Sequence, residues 1–247
     1  MSADITLAGL ASRTTARLAH DRQRDRRFFT GMALLVAVAV FVGFAPTFYL
    51  TRVFGPHPAV PLVHLHGAVM TVWILLFVTQ TSLVAAHRTD LHRRLGIAGA
   101  ALVPVIVIIG YFTAIEGARR GVPVGVSPVA FLSVTLGTLA AFTVMAILGL
   151  ANRRRSEVHK RLMLLATIAL IAPALARFRF IGGGGPVTAI GGTVAFVLAC
   201  MVYDGWTHRR VHPAFLWGGL FVVLALPARL ALGKTEAWQS LARWIIG

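Results

Sequence analysis

Seven apolar stretches, each close to the ~20 residues a helix needs to cross a ~30 Å hydrocarbon core, constrain this chain more than any other feature. They cover residues 28–50, 61–86, 92–117, 128–151, 159–180, 187–206 and 213–232. Turn residues and charges fill the gaps, as in Gly55-Pro56, Gly121-Val122-Pro123 and the run Gly182 to Gly185 before Pro186. Soluble domains carry about 25% charged residues; this chain has 13%, with 57% hydrophobic residues and a mean hydropathy of +0.78. The expected fold is therefore an all-α polytopic membrane bundle of about seven transmembrane helices. Residues 1–27 form a basic cytoplasmic segment, 28–232 the transmembrane domain and 233–247 a C-terminal interfacial segment.

The net charge of +16 does not point to nucleic acid, because no folded module is left over to read it. Lysine and arginine instead collect in cytoplasmic loops, against anionic lipid headgroups. With the amino terminus inside, cytoplasmic segments hold 16 of the 24 Lys and Arg residues. That split favours a cytoplasmic N-terminus and a periplasmic C-terminus, in what is expected to be a bacterial-type inner membrane. The run 28–50 is too long for a cleaved signal peptide and reads as a retained helix. Ahead of it, Leu7, Leu10 and Leu18 among arginines fit an amphipathic surface helix or a disordered segment. At the other end Glu236 to Ile246 is too short to span; Trp238, Leu241, Trp244 and Ile245 share a face that suits the interface. The lone cysteine, Cys200, reads as a buried structural thiol.

A repeat adds internal organisation. Arg88 to Leu95 (R-T-D-L-H-R-R-L) recurs as Arg155 to Leu162 (R-S-E-V-H-K-R-L), each time opening a helix on the cytoplasmic side. Helices 2–3 and 4–5 then form parallel repeats and a pseudo-symmetric four-helix core, with His92 and His159 at equal depth. One reading makes the motif a helix cap: Thr89 or Asp90, and Ser156 or Glu157, satisfy free backbone N–H groups, and the histidines anchor among headgroups. The other lets His92 and His159 face each other and hold one b-type haem, with Arg93, Arg94, Lys160 and Arg161 pairing its propionates. Pro104 and Pro173 interrupt the two repeat helices at similar depth and predict kinks there.

The stretch from H-L-H-G-A-V-M at His64 to H-R-R-L-G at His92, with E-V-H-K-R-L-M-L-L-A-T at Glu157, resembles multi-pass bacterial membrane proteins of uncharacterised role. It is more distantly similar to the cytochrome b561 family, over about residues 60 to 180. That resemblance implies paired histidines on neighbouring helices, bound haem and electron transfer, with His92 and His159 matching one pair. The outer pair is broken, since helix 4 carries no histidine to match His64 or His66. The H-K-R-L-M run also resembles small proteins linked to assembly of haem–copper oxidases.

Near the other face lie His64, His66, Glu116, Arg177 and Arg229, a candidate polar pocket for a quinone headgroup or an anion. Structural pairing of Arg177 with Glu116 is the plainer expectation. His64 and His66 point about 160° apart on a helix, which weakens copper or zinc chelation. On the cytoplasmic side Asp204 and His208 form a local pair, and Pro213 holds His212 extended. The last helix has no buried lysine, Lys234 lying at its very end, which disfavours a retinal protein. Two functions are carried forward: a haem- or quinone-linked redox protein, and a non-catalytic protein that binds a membrane partner in respiratory oxidase or metal cofactor assembly.

Overall fold

The computed structural model describes residues 2–55, 60–120, 126–179 and 183–247, with side chains from His20 onward. The predicted turn residues Pro56, Gly121-Val122-Pro123 and Gly182, and the side chains of Leu7, Leu10 and Leu18, lie outside the described residues. Every regular element described is helical.

Helix α1 (Ser2–Phe44) carries the basic segment and the first apolar run on one continuous backbone. It ends in a π-helical turn, Ala45–Tyr49, where the Leu50 N–H reaches the Ala45 carbonyl at 2.7 Å. Pro46 has no N–H to give the preceding turn, so the ladder loosens at that point. After the short α2 (Thr51–Phe54) come α3 (Pro61–Ala85), α4 (Thr89–Arg120) and α5 (Pro128–Ala151). Proline in the first turn of α3 and α5 removes an N–H that would be unpaired anyway. Ser127 Oγ caps α5 by accepting from the Ala130 N–H at 3.1 Å.

The predicted fifth span is corrected by the structure. In place of one helix over 159–180, α6 (Ser156–Ala169) breaks at Leu170-Ile171 and resumes as a single turn, α7 (Ala172–Leu175). Pro173 cannot donate to the Ala169 carbonyl, and Leu170 and Ile171 tighten instead onto Thr167 and Ile168, at 3.1 and 3.2 Å. Pro104, by contrast, sits inside an unbroken α4. The chain continues with α8 (Gly185–His208), α9 (Pro213–Leu232) and α10 (Glu236–Ile246). Six of these helices are long and apolar enough to cross a bilayer, and side chains such as Val72, Ile97, Ile108, Val202 and Trp217 face outward. The protein is a multi-pass membrane protein.

The broken α6–α7 segment is the centre of the bundle. Leu164, Leu165, Ala166, Ile168, Ile171 and Ala174 have no exposed surface, being enclosed by α1, α5, α8 and α9. At α7 the enclosure is tight enough to require glycine: a Cβ on Gly43 of α1 would stand 2.5 Å from the Ala174 carbonyl. Helices α3 and α4 lie to one side, and most of each apolar stretch is left unburied. The repeat helices do pack in the order α3, α4, α5, α6, but unequally, because α8 and α9 add themselves to α6 alone of the two motif helices.

Helix α10 docks on the ends of α4 and α5 through Trp238 and Ile245. The Trp238 indole N–H donates to the Val129 carbonyl at 3.0 Å, and Arg119 caps the last carbonyls of α10. The apolar face expected over Trp238, Leu241, Trp244 and Ile245 therefore splits. Trp238 and Ile245 pack inward around buried Ala242, and Leu241 and Trp244 point out.

Candidate functional site

The two motif histidines meet. His92 opens α4 and His159 opens α6, and their ring centroids stand 6.3 Å apart with the planes at 78°. The His159 Nδ1 lies 2.8 Å from the Gly149 carbonyl of α5. A carbonyl can only accept, so Nδ1 carries a proton, and in the neutral ring Nε2 keeps its lone pair. That is the arrangement that orients a metal-binding imidazole. His92 Nδ1 is buried with no partner among the described residues, as is Oε1 of the neighbouring Gln80. Gln80 Nε2 donates to the His92 carbonyl at 3.2 Å, tying α3 to the start of α4. Arg93 and Arg94 are exposed beside this pair.

Lys160 and Arg161 have other partners. Lys160 Nζ reaches Asp25 Oδ2 at 2.5 Å and Glu157 at 2.7 Å. Arg161, 2% exposed, forks onto Asp204 with Nε and Nη2 at 2.9 and 2.7 Å and gives Nη1 to Glu157 at 2.7 Å. Its guanidinium also lies over the Phe215 ring, 5.3 Å from the centroid. A bidentate arginine–carboxylate pair is among the stronger charge-assisted contacts, and here it replaces the water that neither ion can reach. The motif's capping role is only partly realised in this copy. Arg155 takes the cap position without a side-chain bond, and Glu157 serves the first turn by holding Lys160 and Arg161.

Two members of this network escaped the sequence reading. Asp25, 8% exposed, accepts from Tyr203 at 2.7 Å and lies 3.0 Å from His208 Nε2, so it joins α1, α6 and α8. Phe28 stacks flat on Tyr203, with centroids 3.7 Å apart. A signal for Asp25 did exist: an acid among four arginines at the mouth of an apolar helix, in a chain with only eight acids, needs a buried cation. The expected Asp204–His208 pair is present at 3.9 Å, and His208 stands closer to Asp25, at 3.0 Å. His212 is extended as expected, with ψ at 138°. Its backbone N–H meets Asp204 at 3.0 Å, and its Nδ1 caps α9 by accepting from the Ala214 N–H at 3.0 Å. Burial and the nearby Arg161 charge hold the His212 imidazole below its ordinary pKa.

At the opposite end the predicted polar pocket disperses. No hydrogen bond or ion pair joins any two of His64, His66, Glu116, Arg177 and Arg229 among the described residues. Glu116 pairs with Arg120 one turn along α4, correcting the expected bridge to Arg177. Arg177 stacks on Phe44, 4.4 Å from the ring centroid, and donates to the Pro173 carbonyl at 2.6 Å. Arg229 donates to the Thr138 hydroxyl. His64 is exposed and turned to the Val60 carbonyl at 3.3 Å. His66 Nδ1 and Trp73 Nε1, on one face of α3, are buried and unpartnered among the described residues. No group of three or more metal-binding side chains occurs among the described residues.

No family model, no curated protein and no solved structure matches the chain.

Proposed function

We propose that this membrane protein is a one-haem redox protein in which His92 and His159 hold a b-type haem at the basic end of the bundle. The observation that carries this reading is the facing pair itself. Two metal–nitrogen bonds of ~2 Å, with ~1 Å more from each nitrogen to its ring centre, separate bis-imidazole centroids by about 6 Å, and the pair stands at 6.3 Å. The Gly149 carbonyl leaves His159 Nε2 free to ligate, and the unpartnered His92 Nδ1 is a second donor atom seeking an acceptor or a metal. Haem bound there would supply one-electron transfer. Arg93 and Arg94 would meet its carboxylates, since Lys160 and Arg161 are already neutralised by Asp25, Glu157 and Asp204.

The His66 and Trp73 nitrogens, unpartnered among the described residues, favour a second element of the same reading, a quinone headgroup against α3 near the opposite end. The 16 of 24 cationic residues at the basic end support a cytoplasmic amino terminus in a bacterial inner membrane. Purified protein should show a reducible Soret band that is lost in His92→Ala and in His159→Ala. A colourless preparation from haem-supplied cells overturns the proposal. If both variants are also stable and a membrane partner co-purifies, the assembly reading takes its place.

A further inference from the structure

We infer that the groove between α1 and the end of α3 is a binding site for one anionic diacyl phospholipid. The groove has a volume of about 900 Å³, within the range of small-molecule sites. Its upper wall is cationic: Arg22, Arg26 and Arg27 from α1 and His87 from the α3–α4 turn. Its lower wall, farther along α1, is Thr30, Gly31 and Leu34, with Ala85 opposite. The α1 residues recur at three- and four-residue spacing and so share one helix face. The apolar run of α1 begins at Phe28, so the arginines stand at headgroup depth and Leu34 at acyl depth. A phospholipid has this same order of parts, a phosphate above and hydrocarbon below.

The arginines here differ from those of the Asp204 network. No carboxylate pairs with Arg22, Arg26 or Arg27 among the described residues. Arg26 is instead aimed by a hydrogen bond to His87 Nε2. His87 holds a left-handed backbone with φ at 62°, in the post-helix position where glycine is usual. Strain of that kind persists where the surroundings fix it, often at ligand clamps, and here it directs the imidazole into the groove. Below, a Cβ on Gly31 would meet nothing within 4 Å, so the apolar floor is open rather than filled by a neighbouring helix. Three guanidinium groups with no carboxylate partner among the described residues select an anion, and the open apolar floor selects one with a chain.

Native mass spectrometry of the full chain in detergent, titrated with dioleoylphosphatidylglycerol, tests this. Arg22→Gln/Arg27→Gln keeps the Arg26–His87 bond and should weaken binding about 30-fold, from roughly 1 kcal/mol per arginine at a membrane surface. Arg153→Gln/Arg154→Gln removes equal charge from an exposed turn at the same end and should change binding less than three-fold. Gly31→Leu fills the floor without touching the arginines, suits a helix better than glycine, and should also weaken binding. Equal uptake of phosphatidylcholine, equal loss in both arginine pairs, unaltered binding in Gly31→Leu, or full competition by glycerol phosphate each overturns the inference. The last outcome would mark a small-anion site.

Discussion

One eight-residue motif occurs twice in this protein and ends in two different environments. In the first copy Asp90 pairs with Arg88, at 3.7 Å with both side chains about 60% exposed, and Arg93 and Arg94 point outward. In the second copy Glu157, Lys160 and Arg161 belong to a network closed by Asp25 and Asp204. The motif does not decide this; its neighbours do. Helices α8 and α9 cover α6 and bring Asp204 with them, whereas α4 packs against α3, α5 and α10. The same cation is thus an anchor at the surface in one copy and half of a buried ion pair in the other.

The sharpest test of that difference removes the partner of each arginine. Asp204→Ala leaves Arg161, at 2% exposure, with the half-exposed Glu157 as its one remaining carboxylate partner among the described residues, and losing one member of a buried pair costs about 3–5 kcal/mol. Asp90→Ala, at an exposed pair, should stay within about 0.5 kcal/mol. Unfolding in mixed micelles by titrated denaturing detergent reads both; equal costs would mean that the Asp204 pair is wet. Arg161→Met with Asp204→Leu should recover most of the loss, because a packed apolar pair commonly replaces a buried ion pair without penalty.

Asp25→Asn should come next, at about 2 kcal/mol, since an amide keeps the shape but loses charge-assisted bonds to Lys160 and Tyr203. The same measurement checks it, and a cost no larger than that of Asp90→Ala would remove α1 from the network. Between the histidines the expected effects are smaller and unequal. In haem-free protein His159→Phe gives up the bond to the Gly149 carbonyl, about 1 kcal/mol. His92→Phe deletes a buried atom that has no partner among the described residues and should be neutral or stabilising. A larger loss from His92→Phe would show that water or another group already satisfies its Nδ1.

What the sequence discloses follows the range of the forces involved. Bilayer thickness acts on every spanning segment alike, so the apolar runs were legible, as was the meeting of His92 and His159 through the repeat. Partners distant in sequence were not. Asp25 lies 135 residues from Lys160 and 183 from His208, and nothing local selects them over solvent. Glu116 takes Arg120, one turn away, rather than Arg177, because the nearer partner is reached with less ordering of the chain. Pro104 and Pro173 look equivalent in sequence, yet only the second breaks its helix. There Arg177 supplies a donor to the Pro173 carbonyl, satisfying backbone that the break leaves open on the outer face of the segment.

The smallest expected effect ties the second motif to pH. His212 accepts from the Ala214 N–H through Nδ1, which requires the neutral ring, and its folded pKa is lowered by burial and by Arg161. A histidine with a depressed folded pKa binds fewer protons folded than unfolded, so its stabilisation is complete above the unfolded value, near 6.5. It is lost as pH falls through that value toward the folded one. Protonation puts a hydrogen where the cap needs a lone pair, and losing a cap costs about 0.5–1 kcal/mol. Stability in micelles should therefore fall by that amount between pH 8 and pH 5, and His212→Asn, a cap that does not titrate, should flatten this part of the profile. The first motif is not joined to such a cap, so Arg94→Ala should leave the profile unchanged, whereas Arg161→Ala removes the cation that depresses His212 and should reduce the slope. An identical slope in wild type and His212→Asn would place the acid sensitivity elsewhere in the Asp25 and Asp204 network.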